Sequence, residues 1–231
     1  MDLKFLERTE GLIERENLEI LINSKVAIFG TGGVGSGAVE VLARSGIGEF
    51  LLCDYDIVDV TNINRQLIAT VNTIGMDKVI VQKERILSIN PNAIVKVSKS
   101  RLTEENINDF NLERYDYVID AIDDVKAKIL LIKHCKENGI NIISAMGAGK
   151  RLDPTRLKIA DIYETQGCPL ARRMRNRLKK VGVENLKVVF SDEQAIEKDL
   201  EFIPSIAFLP PVSGMIIGGE VIRDLIHIER K

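Results

Sequence analysis

The chain has 231 residues, 45% of them apolar and 29% charged, with a formal net charge of -2. That length suits one large α/β domain with a full core, and the composition is that of an ordinary globular protein. The near-neutral balance excludes a chain that is basic throughout, so any affinity for nucleic acid must reside in a local cluster.

The opening MDLKFLERTEGL is charged and lacks an apolar run, so no secretory leader is expected. No segment reaches the ~18 apolar residues of a membrane span. Residues 3 to 22 read as helical, with Leu12, Ile13, Leu18, Leu21 and Ile22 at helical spacing. Arg8 lies in this stretch and by itself reads as a surface residue. Then comes an apolar strand, VAIF, which runs into the turn GTGGVG at Gly30 to Gly35. A helix over Ser36 to Arg44 and a second strand, EFLLCDYD, place Asp54 at a strand end. Strand, G-x-G-x-x-G, helix, strand and acid is the layout of a nucleotide-binding βαβ unit. Gly30, Gly32, Gly33 and Gly35 allow close backbone approach to a phosphate, the helix N-terminus supplies donors, and Asp54 would accept from ribose hydroxyls.

The cluster Thr61 to Arg65 (TNINR) and then Gly75 to Lys78 (GMDK) add fixed positive charge near the phosphates. Such charge suits breaking a triphosphate rather than holding a pyrophosphate intact. Ile74 to Asn90 reads as a helix stopped before Pro91, Ile94 to Val97 as a short strand, and Thr103 as the cap of a further helix. The strand ending at Asp120 delivers Asp120, Asp123 and Asp124 to its carboxyl end, where acids serve either a helix N-terminus or a cation. Val125 to Asn138 is a helix stopped by Gly139, and Ile140 to Met146 a buried strand. His134, Cys135 and His227 have no partner at motif spacing and read as packing or surface residues.

The segment Pro169 to Lys180 is a helix carrying Arg172, Arg173, Arg175, Arg177, Lys179 and Lys180, with no acid between residues 170 and 180. Charge of one sign along a helix is either a solvated face or the footprint of phosphate-backbone binding, and the missing acids favour the second. Leu186 to Phe190 is a strand, residues 191 to 209 a loop, and the small-residue run from Pro211 starts a closely packed helix. No linker or repeat interrupts the chain. One domain is expected over residues 1–231, with a nucleotide-binding core (1–150) and a substrate-specific part (151–231). Cys53, Cys135 and Cys168 are scattered and form no C-x-x-C pair, which points to a reduced, cytoplasmic setting and against a structural zinc.

Taken together, GTGGVG, DYD, TNINR and GMDK resemble the ubiquitin-activating-enzyme-like family of ATP-dependent adenylyltransferases, which includes the thiamine and molybdopterin sulfur-carrier activators. Residues 144 to 190, with SAMGAG, LDPTR, IADIYET and PLARRMRNRLKK, resemble the branch that dehydrates threonylcarbamoyladenosine in tRNA. The resemblance implies a doubly wound, mostly parallel, Rossmann-like α/β fold with a C-terminal extension. It implies ATP held by the glycine turn, Asp54, Asn62, Arg65 and Lys78, and Mg2+ on Asp123. An arginine matched by Arg8 crosses a homodimer interface to the partner's ATP. The implied reaction adenylates the substrate carboxylate at tRNA position 37 and closes it into a ring, releasing pyrophosphate and AMP. Cys168 stands where many members of this branch have an aspartate, which argues against an obligatory catalytic role for it. Two other readings stay open: activation of a ubiquitin-like sulfur carrier with a Gly-Gly tail, and a non-catalytic nucleotide- or NAD-binding module. Assistance by a sulfur-transfer protein is open as well.

Overall fold

The structure, a computed structural model, describes residues 3–228. Seven strands form one sheet: β1 (Lys25–Phe29), β2 (Glu49–Cys53), β3 (Ile94–Ser98), β4 (Tyr117–Asp120), β5 (Ile142–Ala145), β6 (Leu157–Asp161) and β7 (Lys187–Ser191). Their order is β3-β2-β1-β4-β5-β7-β6, and every pairing is parallel except that of β6 with β7. The central strands read as continuous apolar runs because helices cover both faces of the sheet. Val26 and Ile28 of β1 enter one core, whereas Ala27 and Phe29 enter the other.

The first core is closed by α2 (Gly33–Arg44), α3 (Lys78–Ile89) and α6 (Leu209–Leu225), with Leu21 of α1 (Glu7–Asn23) at its margin. The second is closed by α4 (Val125–Glu137) and α5 (Pro169–Lys180). Helices α2 and α6 meet backbone to backbone. A Cβ on Gly214 would lie 1.9 Å from the Val34 carbonyl oxygen, and one on Gly37 2.4 Å from that of Pro211. The small-residue run of α6 thus fixes where the N-terminus of α2 points.

The structure departs from the expected elements at several points, the helix expected from Ile74 beginning only at Lys78. Thr103 caps no α-helix; residues 104–106 form a turn, followed by a 3-10 turn at Ile107–Phe110. Strand β6 was not expected, because its burial is intermediate or exposed throughout and it carries no continuous apolar run. Helix α1 is interrupted at Glu14, whose φ of 70° lies outside the helical region. The segment 192–208 is irregular, as read from the sequence, yet it is tied down. Ile196 N donates to Lys150 O (2.7 Å), Lys150 N to Pro204 O (2.9 Å), and Asn64 Nδ2 to Ser205 O (3.1 Å).

Candidate active site

The chain leaves β1 toward β2 and β3, then returns to β4 on the other side. The crevice between the carboxyl ends of β1 and β4 is therefore the switch point at which open α/β sheets bind ligands. A cavity of about 320 Å³ opens there, lined by the glycine turn and by Asp54, Arg65, Lys78 and Asp123 among others. A larger open recess, about 1660 Å³, lies at the opposite ends of the strands. Its lining includes His227 but none of the residues expected to hold ATP, magnesium or tRNA, and strand topology favours the smaller cavity.

The glycines have distinct jobs. Gly30 has φ 88°, and a Cβ on it would lie 2.5 Å from the Ala121 carbonyl oxygen, so the two crossover loops touch there. A Cβ on Gly35 would fall 1.9 Å from the Gly30 carbonyl oxygen, which closes the turn onto the first turn of α2. Gly32 and Gly33 face the cavity, where the first N–H groups of α2 have no helical acceptor.

Asp54 is fixed before any ligand arrives. Its Oδ2 accepts from Thr31 N (2.7 Å) and Thr31 Oγ1 (3.1 Å), and its Oδ1 from Asp56 N (2.9 Å). Lys78 opens α3, is only 6% exposed, and donates to Asp56 Oδ2 at 2.7 Å. Arg65 is held by the Thr61 carbonyl (2.7 Å) and Asn64 Oδ1 (2.9 Å). Asp123 is exposed on the cavity side and has no hydrogen-bond or ion-pair partner among the described residues, so its carboxylate is available to a cation. No three His, Cys, Asp or Glu side chains converge as a metal site among the described residues. Magnesium characteristically binds one or two carboxylates together with substrate phosphates, which this arrangement fits. Asp124 instead caps α4, accepting from Ala127 N at 2.8 Å.

Other expected residues are placed differently. Asn62 is buried in a capping box with Asp59, accepting from Asp59 N at 3.1 Å, and does not line the cavity. Its Oδ1 thereby shapes the loop that presents Arg65. Arg8, on the exposed first turn of α1, does not line the cavity of its own chain. Arg172, Arg173, Arg177, Lys179 and Lys180 are exposed on one side of α5, opposite the buried Ala171, Met174 and Leu178. Arg175 departs from this group: its guanidinium donates to the Thr165 carbonyl (2.8 Å) and the Thr165 hydroxyl, bracing the preceding loop. Cys53 and Cys135 are buried, and burial pushes both thiols up to about 12, Asp54 adding to the first and Asp120 to the second. Neither can serve as a thiolate near neutrality. Cys168 is buried in the core beneath α5.

Sequence reasoning missed four features. Gln66 lines the cavity directly after Arg65, and Arg101 stacks over Tyr55 at its rim, 5.1 Å from the ring centre. Ile203 and Ser205 bring the segment 192–208 over the mouth. Beneath the site, Lys128 is wholly buried and bonds Asp120 Oδ2 (2.9 Å), Ala145 O (2.9 Å) and Ile122 O (3.2 Å), while Ser144 Oγ donates to Asp120 (2.5 Å). That network pins the loop carrying Asp123. Only Gln66 had a local signal, its place beside Arg65. The rest come together from distant parts of the chain.

The model of the ThiF family matches residues 6–231. A protein named tRNA threonylcarbamoyladenosine dehydratase from Bacillus subtilis is 45% identical over 237 residues, covering 95% of this chain and 93% of the relative. The crystal structure of E. coli tRNA N6-threonylcarbamoyladenosine dehydratase, TcdA, in complex with ATP superposes with a TM-score of 0.91 at 33% identity, over 97% of this chain and 94% of that one. Its complex with AMP superposes with a TM-score of 0.92, at the same identity and coverage.

Proposed function

The chain belongs to the ThiF family, and from that premise we propose that it is an ATP-dependent tRNA threonylcarbamoyladenosine dehydratase. The observation that carries the reading is one cavity in which Asp54, Arg65, Lys78 and Asp123 surround a glycine turn, in a chain that also exposes on α5 five cations without a partner among the described residues. A carboxylate oxygen of the substrate attacks the α-phosphorus of ATP, and the bond to pyrophosphate breaks, giving an acyl-adenylate. A nucleophile within the same modified group then attacks the acyl carbon and expels AMP. A ring closes, and the net change is the loss of one water.

The chain's part is to place charge. Asp54 takes the ribose hydroxyls, and the first turn of α2 faces the phosphates with unpaired N–H groups. Arg65 and Lys78 stabilise the negative charge that grows on the departing pyrophosphate. Asp123 would hold magnesium, which neutralises charge on the phosphate oxygens. Oriented by Asp56, Lys78 needs little rearrangement when ATP arrives. No protein nucleophile is required, in keeping with the protonated, buried thiols of Cys53 and Cys135. Arg8 acts from the partner subunit of a homodimer. Helix α5 takes the tRNA backbone, which a sulfur-carrier activator would have no use for. No described helix is long and apolar enough to cross a membrane.

The test is mass spectrometry of nucleosides from tRNA bearing threonylcarbamoyladenosine after incubation with the protein, ATP and magnesium. Loss of one water from that nucleoside, with AMP formed in step, is expected. An unaltered nucleoside, with pyrophosphate exchange appearing only when a Gly-Gly carrier is added, would overturn the proposal in favour of carrier activation.

A further inference from the structure

Gln66 follows Arg65 and turns into the interior, where it is 7% exposed. Its backbone is fully used: Gln66 N donates to Asn62 O (2.9 Å), and Gln66 O accepts from Ala69 N (3.0 Å). Its side chain is not. Oε1 is buried without a partner, and Nε2 has none among the described residues. An unpaired buried amide is destabilising, and an apolar side chain of the same shape would avoid that cost. Gln66 nevertheless lines the cavity, with Nε2 3.5 Å from where a Cβ on Gly32 would stand. The neighbouring contact is close too, since a Cβ on Gly33 would lie 3.3 Å from the Arg65 carbonyl oxygen. The loop therefore presses the Gln66 amide against the turn from which the first N–H groups of α2 emerge.

From this juxtaposition we infer that Gln66 is a further nucleotide-positioning residue, donating Nε2–H to a phosphate oxygen of ATP held over Gly32. The inference rests on the proposed ATP site and adds a residue to it. Phosphate oxygens only accept hydrogen bonds, so the amide nitrogen is the end that serves, and the terminal torsion can present it. An amide also supplies a donor without adding a charge to a turn already flanked by Arg65 and Lys78. Gln66 thus reinforces the orientation of the phosphate chain, while Arg65 carries the charge stabilisation.

Calorimetric titration with ATP, alongside the thermal midpoint of the ligand-free protein, distinguishes this from a structural role. Gln66→Met keeps length and volume but removes both polar atoms. It should leave the ligand-free midpoint level or higher and weaken ATP binding about tenfold, the scale of one hydrogen bond to a charged group. Gln66→Glu sets a negative charge against the phosphates and should weaken ATP more than the methionine does. A Gln66→Met protein that melts earlier yet binds ATP like wild type would make the amide a structural prop and overturn the inference. Wild-type affinity in Gln66→Glu would do the same. If wild type itself fails to bind ATP, the nucleotide site falls and this inference with it. ATP binding lowered in both variants would support Gln66 even if the tRNA nucleoside proves unaltered.

Discussion

The cavity and helix α5 both concentrate positive charge, and they do so in opposite ways. In the cavity each cation has a fixed partner: Lys78 is nearly buried against Asp56, and Arg65 is held by Thr61 and Asn64. On α5, Arg172, Arg173, Arg177, Lys179 and Lys180 are exposed and have no ion-pair or hydrogen-bond partner among the described residues. Charge held in place acts on a transition state, because no reorganisation is needed as the reaction proceeds. Charge left mobile in water acts on a polyanion through counterion release, which tolerates loose geometry and is sensitive to salt. The two clusters should therefore fail differently when altered.

The largest effect is expected in the cavity. Arg65→Ala or Lys78→Ala should slow pyrophosphate release about 10²-fold or more in a folded protein, the scale of losing one oriented donor. Quench-flow measurement at saturating ATP and at two salt concentrations checks this, and the defect should be nearly independent of salt. Equal turnover in either folded variant would remove that residue from the chemistry.

On α5 the expected defect lies in binding. Reversing Arg172, Arg177 and Lys179 to Glu should lower tRNA affinity steeply and flatten its salt dependence by a slope of about 3, with ATP affinity unchanged. If wild type and triple variant give the same slope, the helix is only a solvated face. Arg175 sharpens the contrast, since it belongs to the helix yet is tied to the Thr165 carbonyl. Arg175→Ala should cost about 1–3 kcal/mol of stability by thermal unfolding while leaving the salt slope of tRNA binding near that of wild type. A slope change matching that of Arg177→Ala would place Arg175 with the exposed cations after all.

The smallest signal concerns Arg8. If it acts on the partner's ATP, an Arg8→Ala chain mixed with an Asp123→Ala chain should regain roughly a quarter of wild-type turnover, because half the dimers then carry one intact site of two. No recovery despite demonstrated subunit exchange would confine Arg8 to its own chain.

What the sequence determined by itself is local. The glycine turn, Asp54, the cations of TNINR and GMDK, and the one-signed stripe of α5 are each short, periodic or adjacent along the chain. Their backbone geometry follows from the residues present, so the βαβ layout could be read directly. Where a side chain's meaning depended on a distant partner, only the tertiary structure decided. That Asn62 completes a cap with Asp59 through its Oδ1 was not legible in TNINR, and Arg175 looked like its neighbours until Thr165 lay beneath it. Strand β6, at the sheet edge, exists because β7 pairs with it from some 30 residues away, a partner for which its own pattern gave no cue. Lys128 reads as one more helix lysine, yet it is buried against Asp120 and the Ala145 carbonyl, a site created by bringing β4, α4 and β5 together. Gln66 was adjacent to the motif, but its unpaired amide became evident only once the fold had enclosed it and set Gly32 beside it. Burial and hydrogen-bond satisfaction are properties of the packed chain, and no local pattern of residues encodes them.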